Sequence, residues 1–217
     1  MPALTTIALT CPSCGNEFIS EAMDWYELPG RKHTDFHLQA TGLQPLPYDV
    51  HLCVRCGFAG NEMAFKEPQD VSYSVRRHLW DEITPRISMT EPAASDKYDC
   101  AAKVASWDGA DARTLADLWL RAAWCCVDEG DVEAERYYRR LAASHFAESL
   151  ESYDGVPRED RAAIAYLVGE LWRRIGDQAR ATEWFDRVAI EVDEPCEQRW
   201  IVELARQQRD EPREWIT

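Results

Sequence analysis

The chain has 217 residues, of which 46% are hydrophobic, 29% charged and 11% aromatic, with nine Trp among them. That length and composition suit one or two domains with a buried core, and exclude both a disulfide-stapled miniprotein and a disordered tail. Lys and Arg number 24 against 39 Asp and Glu, a net charge of −15 with neutral His, so the average surface repels a phosphate backbone and disfavours nucleic acid as a partner.

Residues 1–10 show neither a basic start nor an apolar stretch of signal-peptide length, and the longest unbroken apolar runs, 122–127 and 162–168, are six and seven residues. A soluble, cytoplasmic protein is the expectation. Eight of the eleven prolines and five of the ten glycines fall in residues 1–92, whereas the remainder is rich in Ala, Glu and Arg. The shift predicts an α+β, mostly α protein: a small β module over 1–70, a linker with a short helix over 71–92, and a helical domain over 93–217.

In the first part, Thr5-Thr6-Ile7-Ala8-Leu9, Glu17-Phe18-Ile19 and Tyr48-Asp49-Val50-His51-Leu52 alternate apolar with polar residues between Gly, Pro and Cys turns, which predicts short strands in hairpins. Cys11-Pro12-Ser13-Cys14-Gly15 and Cys53-Val54-Arg55-Cys56-Gly57 are two knuckles of one kind, and the Gly after each second Cys permits a tight turn. Four thiolates at tetrahedral geometry suit Zn²⁺, with a rubredoxin-like Fe site as the competitor. A full shell of Cys11, Cys14, Cys53 and Cys56 leaves no position for a substrate water, so the metal is expected to be structural.

Between the knuckles, His33, Asp35 and His37 would share one face of a strand, either as a second metal or acid–base site or, more simply, as solvated polar positions or hydrogen-bond anchors bracing the module. His51 reads as a group beside the ligands or at the surface, His78 as a surface residue and His145 as a core histidine. Cys100, Cys125, Cys126 and Cys196 fall in or beside helical sequence, where a free thiol behaves as a small apolar residue. No Gly-rich phosphate loop, nucleophile elbow or His-Glu-x-x-His occurs.

After a short helix expected over 73–83, the apolar period becomes 3.6. Leu115, Leu118, Trp119, Ala122, Ala123 and Cys126 fill one buried stripe; Ile164, Leu167, Val168, Leu171, Trp172 and Ile175 fill a second. Ala181, Trp184, Phe185, Val188, Ala189 and Val192 fill a third, and Ala134, Tyr137, Tyr138, Leu141, Ala142 and His145 make a weaker one. Flanking helices are expected over 95–107 and 197–208. Gly130-Asp131 and Gly176-Asp177 each end one helix and cap the next, so the units are helical hairpins.

Aligned on those glycines, the second unit resembles a tetratricopeptide repeat. The first departs from it, with Glu135 and Arg139 in the small and aromatic positions and a 46-residue offset that a longer second helix would absorb.

The chain also resembles, over nearly its whole length, a family of uncharacterised bacterial proteins, a domain of unknown function. The matching residues are Cys11-Pro12-x-Cys14-Gly15-x-x-Phe18, an Asp near 35, Pro47-Tyr48-Asp49-Val50 and Cys53-x-x-Cys56-Gly57-Phe58-Ala59. Ala122-Ala123-Trp124 and Tyr166-Leu167-Val168-Gly169-Glu170-Leu171-x-Arg173-Arg174-x-Gly176 continue the match. The resemblance implies a zinc-ribbon-like N-terminus and a tetratricopeptide-like C-terminus with no established activity. His33 stands where the family often carries a second Asp.

The leading expectation is a non-enzymatic interaction or scaffold protein. The alternatives are a metal-dependent enzyme using His33, Asp35 and His37, and a nucleic-acid-binding zinc ribbon; the latter is disfavoured by four Lys or Arg against nine Asp or Glu in residues 1–70. Leu120, Trp124, Tyr166 and Arg173 lie off the buried stripes, at positions that in tetratricopeptide repeats line a peptide groove. They are the candidate partner-binding residues.

Overall fold

A computed structural model describes residues 3–25, 30–67, 70–87, 92–152, 155–193 and 197–216. The first strand, β1 (Ala3–Thr10), pairs antiparallel with β2 (Glu17–Trp25) from Leu4 opposite Met23 to Thr10 opposite Glu17. Its alternation is the one the sequence shows, with Thr5, Ile7 and Leu9 turned inward and Thr6 and Ala8 exposed. The first Cys knuckle is the turn of this hairpin. The second is the turn between β5 (His51–Leu52) and β6 (Ala59–Gly60).

Between them lie a two-residue ladder of β3 (Arg31–Lys32) with β4 (Leu38–Gln39), and a single helical turn, α1 (Leu46–Asp49). The strand expected over 48–52 is therefore confined to its last two residues. The reason is Pro45 and Pro47, whose fixed φ starts a helical turn that takes in Tyr48 and Asp49.

A further turn, α2 (Met63–Lys66), is followed by the expected short helix, α3 (Tyr73–His78), capped by Ser72 and continued as a π turn over Leu79–Ile83. Six longer helices then follow: α4 (Ala94–Trp107), α5 (Ala112–Glu129), α6 (Val132–Glu151), α7 (Arg158–Arg174), α8 (Gln178–Arg187) and α9 (Arg199–Asp210). Helices dominate, with small antiparallel sheets beside them, as expected for an α+β, mostly α chain. Successive helices pack against one another from α4 to α9.

At both hairpin turns the expected chemistry is present. Gly130 and Gly176 take the left-handed conformation, and the side chains of Asp131 and Asp177 accept from the N–H groups of Ala134 and Arg180. α6 runs for 20 residues and so absorbs the long offset between the two units. The third stripe is shorter than its pattern, because α8 ends at Arg187 and leaves Ala189 and Val192 beyond it.

On α6 the buried face is Arg139, Ala142, Ala143, Phe146, Ser149 and Leu150, so it is rotated from the expected stripe. His145 is accordingly half-buried and pairs with the exposed Glu148 instead of sitting in the core. An arginine defines the inward face, which an apolar pattern does not register.

Two apolar clusters make up the interior. One lies among α5 to α9, with Ala102 of α4 added to it. The other joins Leu9, Cys11, Val50, Cys53 and Phe58 to Tyr98, Ala101 and Val104 of α4 and Ala122 and Cys125 of α5. The Cys knuckles and the helices thus bury their apolar surfaces together.

Candidate metal centre and the histidine loop

Each Cys-x-x-Cys knuckle closes through backbone hydrogen bonds. Gly15 N–H donates to Cys11 O and Gly57 N–H to Cys53 O, at 2.9 and 2.8 Å. Both glycines have positive φ, 70° and 83°, and a Cβ on Gly57 would also collide with Ile83. The turns bring Cys11 Sγ to 3.6 Å from Cys56 Sγ, and Cys14 Sγ to 3.7 Å from Cys53 Sγ. All four sulfurs lie within 4.8 Å of one another.

A tetrahedron of thiolates about 2.3 Å from a central ion has edges of about 3.8 Å, so the spacing admits one metal ion. Three of the sulfurs are buried and Cys14 is half-buried. Backbone N–H groups of Cys14, Arg55 and Phe58 point at sulfurs, and Asn16 Nδ2 donates to Cys53 Sγ at 3.8 Å. Hydrogen bonding to Cys53 pushes the Cys11 thiol up to about 12, and hydrogen bonds from Cys11 and Cys56 push Cys53 down. Among the described residues, these four are the one group of three or more His, Cys, Asp or Glu whose ligand atoms converge in this way.

The residues His33, Asp35 and His37 are placed differently from a shared strand face. His33 N–H donates to His37 O and Phe36 N–H to His33 O, which closes a tight loop beyond β3. Phe36 is in the left-handed region, φ 68°, unusual for a bulky side chain. Thr34, Asp35 and His37 are buried.

The Asp35 carboxylate accepts from Arg139 Nη1 at 2.7 Å, from Trp124 Nε1 at 3.1 Å and from the His37 N–H at 3.3 Å. Burial alone would push its pKa up. Arg139 and Arg174 outweigh that and hold it well below the carboxylate range. Thr34 Oγ1 donates to Glu170 Oε1 at 2.6 Å, and Glu170 is fully buried between Arg173 and Arg174.

The two imidazoles extend this arrangement into a column of rings. Trp124 stacks on His37 at 5.1 Å, His37 on His33 at 5.5 Å, and His33 on Trp215 at 3.8 Å. Burial lowers the pKa of both histidines, His37 to about 4, so both are neutral near pH 7.

Three of the four candidate partner-binding residues, Trp124, Tyr166 and Arg173, lie against this loop or the segment beside it. Leu120 is buried in the helical core. Trp124 is half-buried and holds Asp35. Tyr166 is fully buried, donates its hydroxyl to Thr34 O at 2.8 Å and meets the Phe36 ring. Arg173 is one-tenth exposed and pairs with Glu170 and with Glu214. The face they form is engaged by this chain's own loop and by residues 213–216.

Arg139, Glu170, Arg174 and Trp215 complete the arrangement, and none of them is among the candidate site residues of the sequence. The available signal was Arg139 itself, standing where the second unit has Phe185. The other histidines are structural: His51 is buried with its Nδ1 2.8 Å from Ser20 Oγ, and His78 stacks on Trp107 and pairs with Glu82. Cys100, Cys125 and Cys126 are buried, and burial raises the pKa of each, Cys100 to about 12 and Cys126 to about 11. Cys196 lies outside the described residues. No described helix is long and apolar enough to cross a membrane.

No curated protein and no solved structure matches this chain. A family model does match, over residues 4–212, and it spans both Cys knuckles, the histidine loop and all six long helices. The chain belongs to the family described as "Uncharacterized protein conserved in bacteria (DUF2225)".

Proposed function

We propose that this is a non-catalytic interaction protein, in which a zinc-ribbon-like module with one structural Zn²⁺ and a tetratricopeptide-like array of helical hairpins together present a surface to a protein partner. The observation that carries the structural role is the closed four-cysteine shell, set in two hairpin turns that share a core with α4 and α5. Such a shell has no open coordination position. Zinc is favoured because its filled d shell tolerates a tetrahedron imposed by the protein.

Support for a protein partner comes from α3 and its π turn. Tyr73 and Trp80 are 80% and 72% exposed and lie about two helical turns apart, with Arg77 between them. Aromatic and Arg side chains dominate interface energetics, and a soluble chain rarely leaves two large rings in water without use. The charge of −15 argues against nucleic acid and anionic membrane, and the reduced thiols fit the cytoplasm.

Two measurements test this reading. Metal analysis of freshly purified protein should give one zinc per chain; an iron–thiolate absorption band in place of zinc rejects the metal assignment. A photo-crosslinking amino acid placed at Tyr73 or Trp80 in the native cell should trap the same protein from both positions. Failure to trap anything from either, with abundant folded protein present, rejects the interaction surface.

A further inference from the structure

The segment that follows α9 is held in an unusual way. Gln208, itself buried, grips the Arg213 backbone at both groups: its Oε1 accepts from Arg213 N at 2.6 Å and its Nε2 donates to Arg213 O at 2.8 Å. Beyond that anchor the chain forms a single antiparallel bridge at the free edge of β3. Thr34 N–H donates to Glu214 O at 3.1 Å, Ile216 N–H donates to Lys32 O at 2.9 Å, and His33 stands opposite Trp215.

The side chains add two specific contacts. The Glu214 carboxylate reaches Arg174 Nη1 at 2.9 Å and Arg173 Nη2 at 3.4 Å. The Trp215 ring closes the ring column at His33, with the Arg31 guanidinium 5.2 Å from its centre.

Thr34 Oγ1 also donates to Arg213 O at 3.1 Å and Arg174 Nη2 to Glu214 O at 3.3 Å, yet the segment lies at the surface. Residues 211–214 are exposed, Trp215 and Ile216 are half-buried, and the segment contributes two backbone hydrogen bonds to the edge. Segments of that kind open locally at a small fraction of the global unfolding free energy. When it opens, it uncovers a strand edge, an imidazole face, and Arg31, Lys32, Arg173 and Arg174 with Glu170 and Asp35 as the facing acids. That is a concentration of positive charge on a chain of net charge −15. Backbone pairing at an edge supplies affinity in strand addition, and side-chain pockets supply selection.

We propose that the groove between β3 and the C-terminal end of α7 is a strand-addition site for a partner's extended segment carrying a carboxylate followed by an aromatic side chain, with residues 213–216 occupying it in cis. The proposal rests on the interaction reading above and names the partner chemistry at one site.

The test uses the full chain and a fluorescein-labelled peptide Glu-Pro-Arg-Glu-Trp-Ile-Thr, the sequence of residues 211–217. In the Glu214→Ala, Trp215→Ala double variant the cis segment loses both side-chain contacts, and the peptide should bind at least tenfold more tightly than to wild type. Adding Arg173→Ala should reverse that gain, and a peptide with Ala in place of its second Glu and its Trp should not bind. Equal affinity for wild type and a folded double variant overturns the proposal.

Amide exchange on the wild type provides a readout that needs no variant. The Ile216 N–H should exchange at least a hundredfold faster than the N–H of Val168 in the middle of α7, and equal protection of the two would make residues 213–216 an integral strand. A concentration-dependent dimer that the double variant abolishes would make a second copy the occupant and overturn the foreign partner. Should the peptide fail while crosslinks from Tyr73 and Trp80 still form, this site falls and the interaction reading stands; loss of both removes the reading itself.

Discussion

A guanidinium taken out of water costs several kcal/mol unless its partners meet it with good geometry. Arg139 satisfies that condition with two carboxylates, Asp35 at 2.7 Å and Glu135 at 2.7 Å, while its side chain is 1% exposed. Removing one partner should therefore cost much more than removing both. Asp35→Ala is expected to lower the unfolding free energy by about 3–5 kcal/mol in urea titration, and Asp35→Ala with Arg139→Met to recover at least half of that. Losses that simply add would refute the coupling.

The neighbouring His37 gives a pH dependence of known sign. Burial depresses its pKa to about 4 in the folded chain, against about 6.5 unfolded. Between those values the unfolded state binds more protons, so stability present above pH 6.5 is lost as the pH falls, by up to about 3 kcal/mol near pH 4. His33 shifts in the same direction. Acid also competes with metal for the thiolates, so the informative comparison is wild type with His37→Phe, which keeps a ring on Trp124. The variant should show a shallower loss of stability from pH 6.5 to 5, and an identical slope would exclude His37 as the source.

Among the elements, the hairpin turns were the most legible in sequence, because Gly followed by Asp carries its own local mechanism. Gly176 has φ 91° and its absent Cβ would meet nothing within 4 Å, so Gly176→Ala isolates the backbone term, about 1 kcal/mol. Gly169 is the opposite case. It sits mid-helix in α7, where Ala would be the better helix former, yet a Cβ there would meet the Phe185 ring at 2.7 Å. Gly169→Ala should destabilise by about 1–3 kcal/mol through forced repacking of α7 on α8, in spite of the helix propensity it gains. Thermal melts of the two variants check this, and a stabilised Gly169→Ala would mean that α8 yields freely.

The amphipathic helices were legible for the same local reason, since each carries its stripe within one segment. The face of α6 was not. Arg139 lies 104 positions from Asp35 in sequence, and no periodicity of apolar residues can register an ion pair closed over such a distance. The histidine loop escaped likewise: His33, Asp35 and His37 suggest a site by composition, whereas their surroundings come from α5, α6 and α7. In place of the aromatic residue that a repeat would carry, α6 presents the guanidinium that holds this loop. The departure of the first hairpin from the repeat pattern is thus the trace of what the helices enclose.

At the scale of the whole molecule, the boundary near residue 70 divides two kinds of sequence that bury their surfaces together. Leu9, Cys11, Cys53 and Phe58 lie in one apolar cluster with Tyr98, Ala101 and Val104, and the histidine loop is clamped by α5, α6 and α7 through Trp124, Arg139 and Tyr166. A zinc ribbon read alone would be expected to unfold by itself when its metal is lost. In this chain, loosening the knuckles would uncover one wall of α4, because Leu9, Cys11, Cys53 and Phe58 share its apolar cluster. Because metal binding in small four-cysteine modules is coupled to folding, its free energy is delivered to whatever folds with it. Cys53→Ala, or removal of the metal by a chelator, should therefore lower the melting temperature of the helical signal at 222 nm, and tryptophan fluorescence should follow the same single transition. The expected outcome is a shift of at least several degrees, since about 1 kcal/mol moves a midpoint by about 2–4 °C in a chain of this length. A helical melt unchanged in the metal-free protein, with fluorescence reporting a separate earlier step, would show that the knuckles fold independently of the array they pack against.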